Sequence, residues 1–349
     1  MGNESPLREG FDLDYTCPVN SLLVTGLPGV PGWNLYHWFR SRWPGPVVGI
    51  YPPGNAKAAA PGSVPIDAVD VDSLTQLFRE HRFTAVVDAS GNCALKACEC
   101  DPALSDLLNT HFGCQVALLA REYGARLVRL SSDLVFSGDE SHTPPYLEEE
   151  VPDPVSNYGK STAEAERRIA AIKTDCHILR VPLPMGYTPG GHAGAIDWIE
   201  WRFRNGRPAT LFFDEVRNPI HCDDLNRIVE WILYEKNFPP GIYHCGGPYR
   251  ISLYQIAQVI NAVGMYAPEL LHGCPRHDAG PMPPRAGNVS LDSGKLLRFL
   301  PSHLRPRPWP IDPRLRPNGL EWHSLVDRNR WNCTHQITKL LVLGEFLST

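Results

Sequence analysis

At 349 residues with 43% hydrophobic side chains, the chain is long enough to bury a large core and divide into about two domains. A formal charge of −5 and a sequence pI near 6.2 exclude the basic field that nucleic-acid or membrane-surface binding requires. No apolar run approaches the ~20 residues that span a bilayer, and the polar tail 1–18 carries no signal-peptide stretch, so a cytoplasmic location is expected. Met1-Gly2 does not begin a myristoylation signal, because Pro6 stands where that motif needs Ser or Thr. The ten cysteines are scattered, and Cys98 and Cys100 have the wrong spacing for a zinc knuckle, so free thiols and no metal are expected. Sequons at Asn288 and Asn332 carry no weight without secretion.

The first apolar run, Ser21 to Thr25, predicts a strand that stops at Gly26; Trp33, Leu35, Tyr36, Trp38 and Phe39 then suit a helix packed on a sheet. Pro46 to Ile50 reads as a second strand, and Asp72 to His81 as a helix with an acidic cap. Thr84 to Asp88 is a buried strand, Leu104 to Tyr123 one long helix, and Arg126 to Leu130 another strand. A helix from about Asn157 to Ile172 and a strand from His177 to Val181 follow. Strand and helix alternating through short connections predict an α/β, Rossmann-type, doubly wound parallel sheet over 19–183. After Pro182 the alternation fails, so 184–213 and 247–310 read as a smaller, irregular substrate domain, with 214–246 returning to the sheet. Residues 311–349 close the chain as a strap, and the four arginines of the tail, Arg305, Arg307, Arg314 and Arg316, are interleaved with prolines and lack an aromatic stacking pattern.

Gly26-Leu27-Pro28-Gly29-Val30-Pro31-Gly32 links the first strand to the first helix. Glycines at such a corner permit a tight turn and close approach to a pyrophosphate, which then meets the free N–H groups of a helix start. The spacing is G-x-x-G-x-x-G, with two prolines inside it. The second strand ends near Tyr51-Pro52-Pro53, with neither the acid that holds a ribose diol nor the arginine that meets a 2′-phosphate. Lys57 is the nearby cation, and the choice between NAD and NADP stays open.

Further motifs are more specific. Asp88-Ala89-Ser90-Gly91-Asn92, Glu99, Pro102, Leu107-Leu108-Asn109, Ser131 to Gly138, Pro145 to Glu149 and Pro154 to Lys160 occur in that order, followed by Arg180-Val181-Pro182, Pro219 to Asp224, Pro284-Arg285 and Leu291-Asp292. From about residue 20 to 300 this layout resembles the dTDP-4-dehydrorhamnose reductases among the extended short-chain dehydrogenases; the beta subunit of methionine adenosyltransferase, a non-catalytic relative, shares it. The resemblance implies cofactor contacts at Gly26, Pro28, Gly29, Val30, Gly32, Tyr51, Asp70, Val71, Ala89, Ser90, Gly91 and Pro182. It implies a catalytic set in which Ser132 holds a substrate carbonyl, Tyr158 donates the proton, and Asn109 supports the helix and a proton-relay water. It places substrate contacts at Asn92, Asp133, Arg217 and Arg285, and it implies a homodimer through two packed helices.

One member is missing. The family motif is Y-x-x-x-K, and the residue four beyond Tyr158 is Thr162. Lys160 is no substitute, since position i+2 points away from the face shared by i and i+4. Without the ammonium, a phenol of pKa ~10 is about one part in a thousand ionised at pH 7, a handicap near 4 kcal/mol for any step that needs tyrosinate. Oxidation of an alcohol needs that base, whereas reduction of a ketone needs the neutral acid. The expected function is therefore an NAD(P)-dependent reductase of a nucleotide-linked keto sugar or similar carbonyl. The alternatives are a nicotinamide-binding scaffold without turnover and an epimerase or dehydratase, the last disfavoured by the lost lysine. Lys96 is the candidate replacement cation. On the substrate side, Gly190-Gly191-His192 and Trp198, Trp201 and Phe203 fall where relatives place substrate loops, and Arg217, His221 and Arg285 are candidates to meet a pyrophosphate.

Overall fold

The structure, a computed structural model, describes residues 21–189 and 194–316. Seven parallel strands form the central sheet: β1 (Leu22–Val24), β2 (Val47–Tyr51), β3 (Ser63–Pro65), β4 (Ala85–Asp88), β5 (Arg126–Ser132), β6 (Cys176–Val181) and β7 (Gly241–His244). Their order, β7-β6-β5-β4-β1-β2-β3, reverses between β1 and β4, which is the switch point of a doubly wound sheet. The inner strands β1 and β4 are buried on both faces, so they read as short, mainly apolar runs rather than alternating ones.

Helices α1 (Val30–Arg42) and α2 (Val71–His81) wind on opposite faces, packing into two separate apolar layers that sandwich the sheet. Helix α2 starts one residue earlier than the sequence pattern indicates, with Asp70 as the acidic cap that accepts from Ser73 N at 2.9 Å. The long helix expected from Leu104 to Tyr123 is a correction: it is built from Pro102–Asp106, a π-turn at Leu107–His111, and α3 (Phe112–Glu122). Helix α4 (Asn157–Ala171) packs beside it.

The segment expected to be irregular is more ordered than its glycines and prolines indicate. It contains α5 (Ala195–Arg204) and, beyond α6 (Cys222–Tyr234), a deeply buried α7 (Leu253–Val263) whose start is a Ser252/Gln255 capping box. Strands Ala209–Phe212 and Leu271–Cys274 pair in parallel there, and Trp309 seals the same core. Among the described residues, no helix is long and apolar enough to cross a membrane.

Candidate functional site

The carboxyl ends of β1, β4 and β5 converge at the switch point, and all three carry polar side chains into it. At the end of β1, Gly26 adopts φ +74°, and a Cβ there would sit 2.0 Å from the Ala89 carbonyl oxygen. A Cβ on Gly32 would meet the Gly26 carbonyl oxygen at 2.1 Å. These two glycines let the corner fold flat against the β4 loop, while Gly29 is the uncrowded outer residue and the N-cap of α1. That cap has no side-chain hydrogen bond and no acid in the first turn, so the leading N–H groups are left for an anion. Pro31 lies within the first helical turn, where its missing N–H costs nothing. The corner therefore fits a diphosphate. Tyr51 ends β2 half-buried, Asp70 and Val71 are exposed at the start of α2, and Lys57 is exposed in a 3-10 turn, Ala56–Ala58.

The tyrosine end is assembled from α4. Its N-cap Ser156 accepts from Gly159 N at 3.1 Å, and Glu99 receives both the backbone and side-chain N–H groups of Asn157 at 2.6 and 2.9 Å. Gly159 is required by contact: a Cβ would lie 2.2 Å from the Leu134 carbonyl oxygen. This close approach brings Tyr158 against Ser132, whose hydroxyl favours the ionised phenol. Burial pushes the Tyr158 phenol above its ordinary value; Cys93 and Asp133 add to the shift, while the Ser132 hydroxyl and the Arg129 charge oppose it. The phenol is therefore held as the neutral acid.

Thr162 is buried, and its hydroxyl donates to the Tyr158 carbonyl oxygen at 2.8 Å, so the position of the missing lysine is filled by a self-contained helix contact. Lys96 is an exposed residue of the short helix Leu95–Cys100. Two cations interact with the Tyr158 phenol: Arg217, a predicted substrate contact, and Arg129, which the sequence reading missed. Arg129 is 3% exposed and donates to Asp88 Oδ2 at 2.6 Å, to Ser90 Oγ at 2.9 Å and to the Asn109 carbonyl oxygen at 3.1 Å. Thr25 completes the cluster by donating to Asp88 Oδ1 at 2.6 Å. Asn109 sits inside the π-turn; its side chain accepts from Asn92 N at 2.6 Å and donates to Ser161 Oγ at 3.0 Å. It thus ties the loop after β4, including Gly91 at φ +138°, to the helix that carries Tyr158.

On the substrate side, Ser132 donates to Asp133, and both oxygens of buried Asp133 accept from Arg217 at 2.7 Å. Burial works against the Arg217 charge, but Asp133 and Glu215 outweigh it and hold the guanidinium protonated. Arg285 forms a two-bond fork with Glu215, at 2.6 and 2.9 Å. His221 is corrected as a phosphate contact: it is 1% exposed, and burial lowers its pKa to about 4, leaving it uncharged. Asn92 uses its side-chain oxygen to accept from Ala94 N at 3.0 Å, and Pro182 follows β6 in a buried position. Trp198 is 41% exposed with Arg202 over its ring, Phe203 is core, and Gly190, Gly191 and His192 lie outside the described residues.

Known proteins share this fold. The model of the RmlD substrate binding domain matches residues 20–310. Methionine adenosyltransferase 2 subunit beta from Xenopus laevis is 27% identical over 327 residues, covering 92% of each chain. Among solved structures, dTDP-4-dehydrorhamnose reductase from Bacillus anthracis in complex with NADP superimposes with a TM-score of 0.71 at 18% identity, covering 83% of this chain and 95% of that one. UDP-glucose 4-epimerase from Thermus thermophilus, in complex with NAD, gives 0.68 at 23% identity, covering 80% and 92%. At those identities the two structures establish the shared fold, and the match over 20–310 establishes the family: the chain belongs to the RmlD substrate binding domain family.

Proposed function

We propose that the chain binds NAD or NADP and reduces a carbonyl compound, working in the reductive direction because its tyrosine is kept protonated. The observation that carries this reading is the Ser132–Tyr158 hydroxyl pair beside a glycine corner with uncapped helix N–H groups. When bound, a nicotinamide dinucleotide supplies the hydride. Gly26, Gly29 and Gly32 leave room for its diphosphate; Ser132 orients the carbonyl oxygen, and Tyr158 holds the proton that this oxygen takes up. Asn109 and Glu99 fix the helix start so that the phenol keeps its place. In this reading residues 19–183 with 214–246 serve the cofactor, and 184–213 with 247–310 serve the substrate.

The test is titration with NADH and NADPH by fluorescence, followed by cofactor consumption across a panel of keto compounds. Tyr158→Phe is expected to keep cofactor affinity and to cut turnover by about 10²–10⁴. Equal turnover in wild type and Tyr158→Phe overturns the reading. A second reading, a nicotinamide-binding subunit without turnover, is favoured by Thr162 in the lysine position and by the likeness to methionine adenosyltransferase 2 subunit beta over 92% of the chain. It predicts tight cofactor binding, no consumption with any carbonyl, and co-migration with a methionine adenosyltransferase.

A further inference from the structure

Helix α4 is seated on the sheet by a buried charge as well as by its capped start. Glu166 lies eight residues, about 12 Å, along α4 from Tyr158, on the buried face that also carries Thr162. Its carboxylate is engaged with two strands. Oε1 accepts from Ser131 Oγ of β5 at 2.5 Å and from Arg180 Nε of β6 at 3.0 Å, and Oε2 accepts from Arg180 at 2.7 Å. Both partners of the ion pair are buried. Arg180 also lies within hydrogen-bond reach of His244 Nε2 at 3.3 Å, and its guanidinium covers the Phe136 ring at 4.9 Å. The other acid of α4, Glu164, pairs with Arg167 and Arg168 of the same helix. Among the described residues, Glu166–Arg180 is thus the ion pair that ties α4 to the strands.

The place of Ser131 links this clamp to the chemistry. Ser131 immediately precedes Ser132 at the end of β5. A strand alternates its side chains, so a carboxylate that holds Ser131 also fixes the direction in which Ser132 points. One carboxylate therefore sets both the helix that carries Tyr158 and the strand end that carries Ser132. At position 162, where a lysine would stand beside the phenol, Thr162 bonds to its own helix. The place of the phenol then depends on how that helix is seated.

We propose that Glu166 is a positioning residue, which through Ser131 sets the spacing between the Ser132 hydroxyl and the Tyr158 phenol. The effect on rate rests on the reductase reading above, but the placement is measured without turnover. The full chain is labelled with fluorotyrosine, and the Tyr158 fluorine resonance is the one lost in Tyr158→Phe. Ser131→Ala removes the serine contact and keeps the ion pair; Glu166→Met/Arg180→Met removes the pair as a unit, so that neither charge is stranded. In each variant the Tyr158 resonance is expected to shift or split, while NADPH affinity stays within about threefold of wild type. With a carbonyl substrate, kcat is expected to fall by about 10–10²-fold with KM little changed, as a displaced reacting group requires. If one variant does not fold, the other carries the test. A folded variant with an unmoved Tyr158 resonance overturns the proposal, even if its melting temperature falls, because the clamp would then serve stability alone. A displaced resonance in a chain whose wild type consumes no cofactor with any carbonyl supports the placement and counts against the reductase reading.

Discussion

The glycine corner and the tyrosine corner lie on one sheet edge and are built by opposite means. The first is held by excluded volume: Gly26 and Gly32 are where they are because any Cβ would overlap backbone, and no charged side chain caps the helix behind them. The second is held by charge and hydrogen bonds, with Asp88, Arg129, Asn109 and Ser161 on one side and Asp133, Arg217 and Glu215 on the other. A steric requirement admits one residue type and leaves glycines at fixed spacing. A charge requirement admits solutions from different strands, so the loss of one lysine does not leave the corner without a cation. The cations present, however, are already paired, Arg129 with Asp88 and Arg217 with Asp133.

The contrast is broken most forcefully at the glycine corner. Gly26→Val would force a side chain into the Ala89 carbonyl at a left-handed backbone position, and it is expected to remove cofactor binding and lower stability by several kcal/mol. Thermal unfolding and NADPH fluorescence read both effects; a protein with near-wild-type melting and cofactor affinity would show that the corner is not sterically set. At the other corner, Asp88→Leu strands a buried guanidinium and is expected to cost about 3–5 kcal/mol, with much of that recovered in Asp88→Leu/Arg129→Met. Denaturant midpoints of the two variants measure the recovery, and equal midpoints would mean that the pair is not the source of the loss.

The same division explains what the sequence disclosed. Apolar runs such as Leu22–Val24 and Ala85–Val87 marked the central strands, because strands buried on both faces are apolar at most positions. Ser63–Pro65 and Gly241–His244 escaped notice: one is three residues long and ends in proline, the other opens on glycine, and both gain strand character only from a neighbour. The π-turn at Leu107–His111 keeps a helical apolar pattern and so looks like uninterrupted helix. Asn109, Ser132 and Tyr158 were legible as motif positions, and the structure brings all three to one corner. Arg129 was not, because its partner Asp88 lies 41 residues away and nothing local distinguishes it from a surface arginine. Gly159 had a visible signal, a glycine in the first turn of a helix, which is unfavourable unless something packs against it.

Buried histidines sharpen the contrast from the side of pH. Burial lowers His221 to about 4 and His244 to about 3, against an unfolded value near 6.5. Between those values the unfolded chain binds protons that the folded one refuses, so stability is complete above pH 6.5 and declines as the pH falls toward 4. His221 alone accounts for roughly 3 kcal/mol of this decline. Urea midpoints at pH 7 and pH 4.5 should differ accordingly, and His221→Leu should flatten the dependence; an unchanged slope would assign the acid sensitivity elsewhere.

Thr162→Lys is the mildest change and bears on the tyrosine corner alone. Position 162 shares a helix face with Tyr158, so an ammonium there stands where it can stabilise the phenolate, and an opposite charge at such range lowers a pKa by about 1–3 units. Burial has moved the Tyr158 phenol up, so the lysine offsets part of that rise rather than creating a strong base. Alcohol oxidation near pH 9 should then increase by about tenfold or more, while ketone reduction at pH 7, which uses the protonated phenol, should change little. Thr162 is buried and its hydroxyl is already bonded to the helix, so the longer side chain must find room, and the variant's melting temperature reports whether it does. An equal rise in both directions would point to improved cofactor binding instead of a shifted phenol. No rise in a well-folded variant would mean that Arg129, although paired with Asp88, already supplies the field that the corner can use.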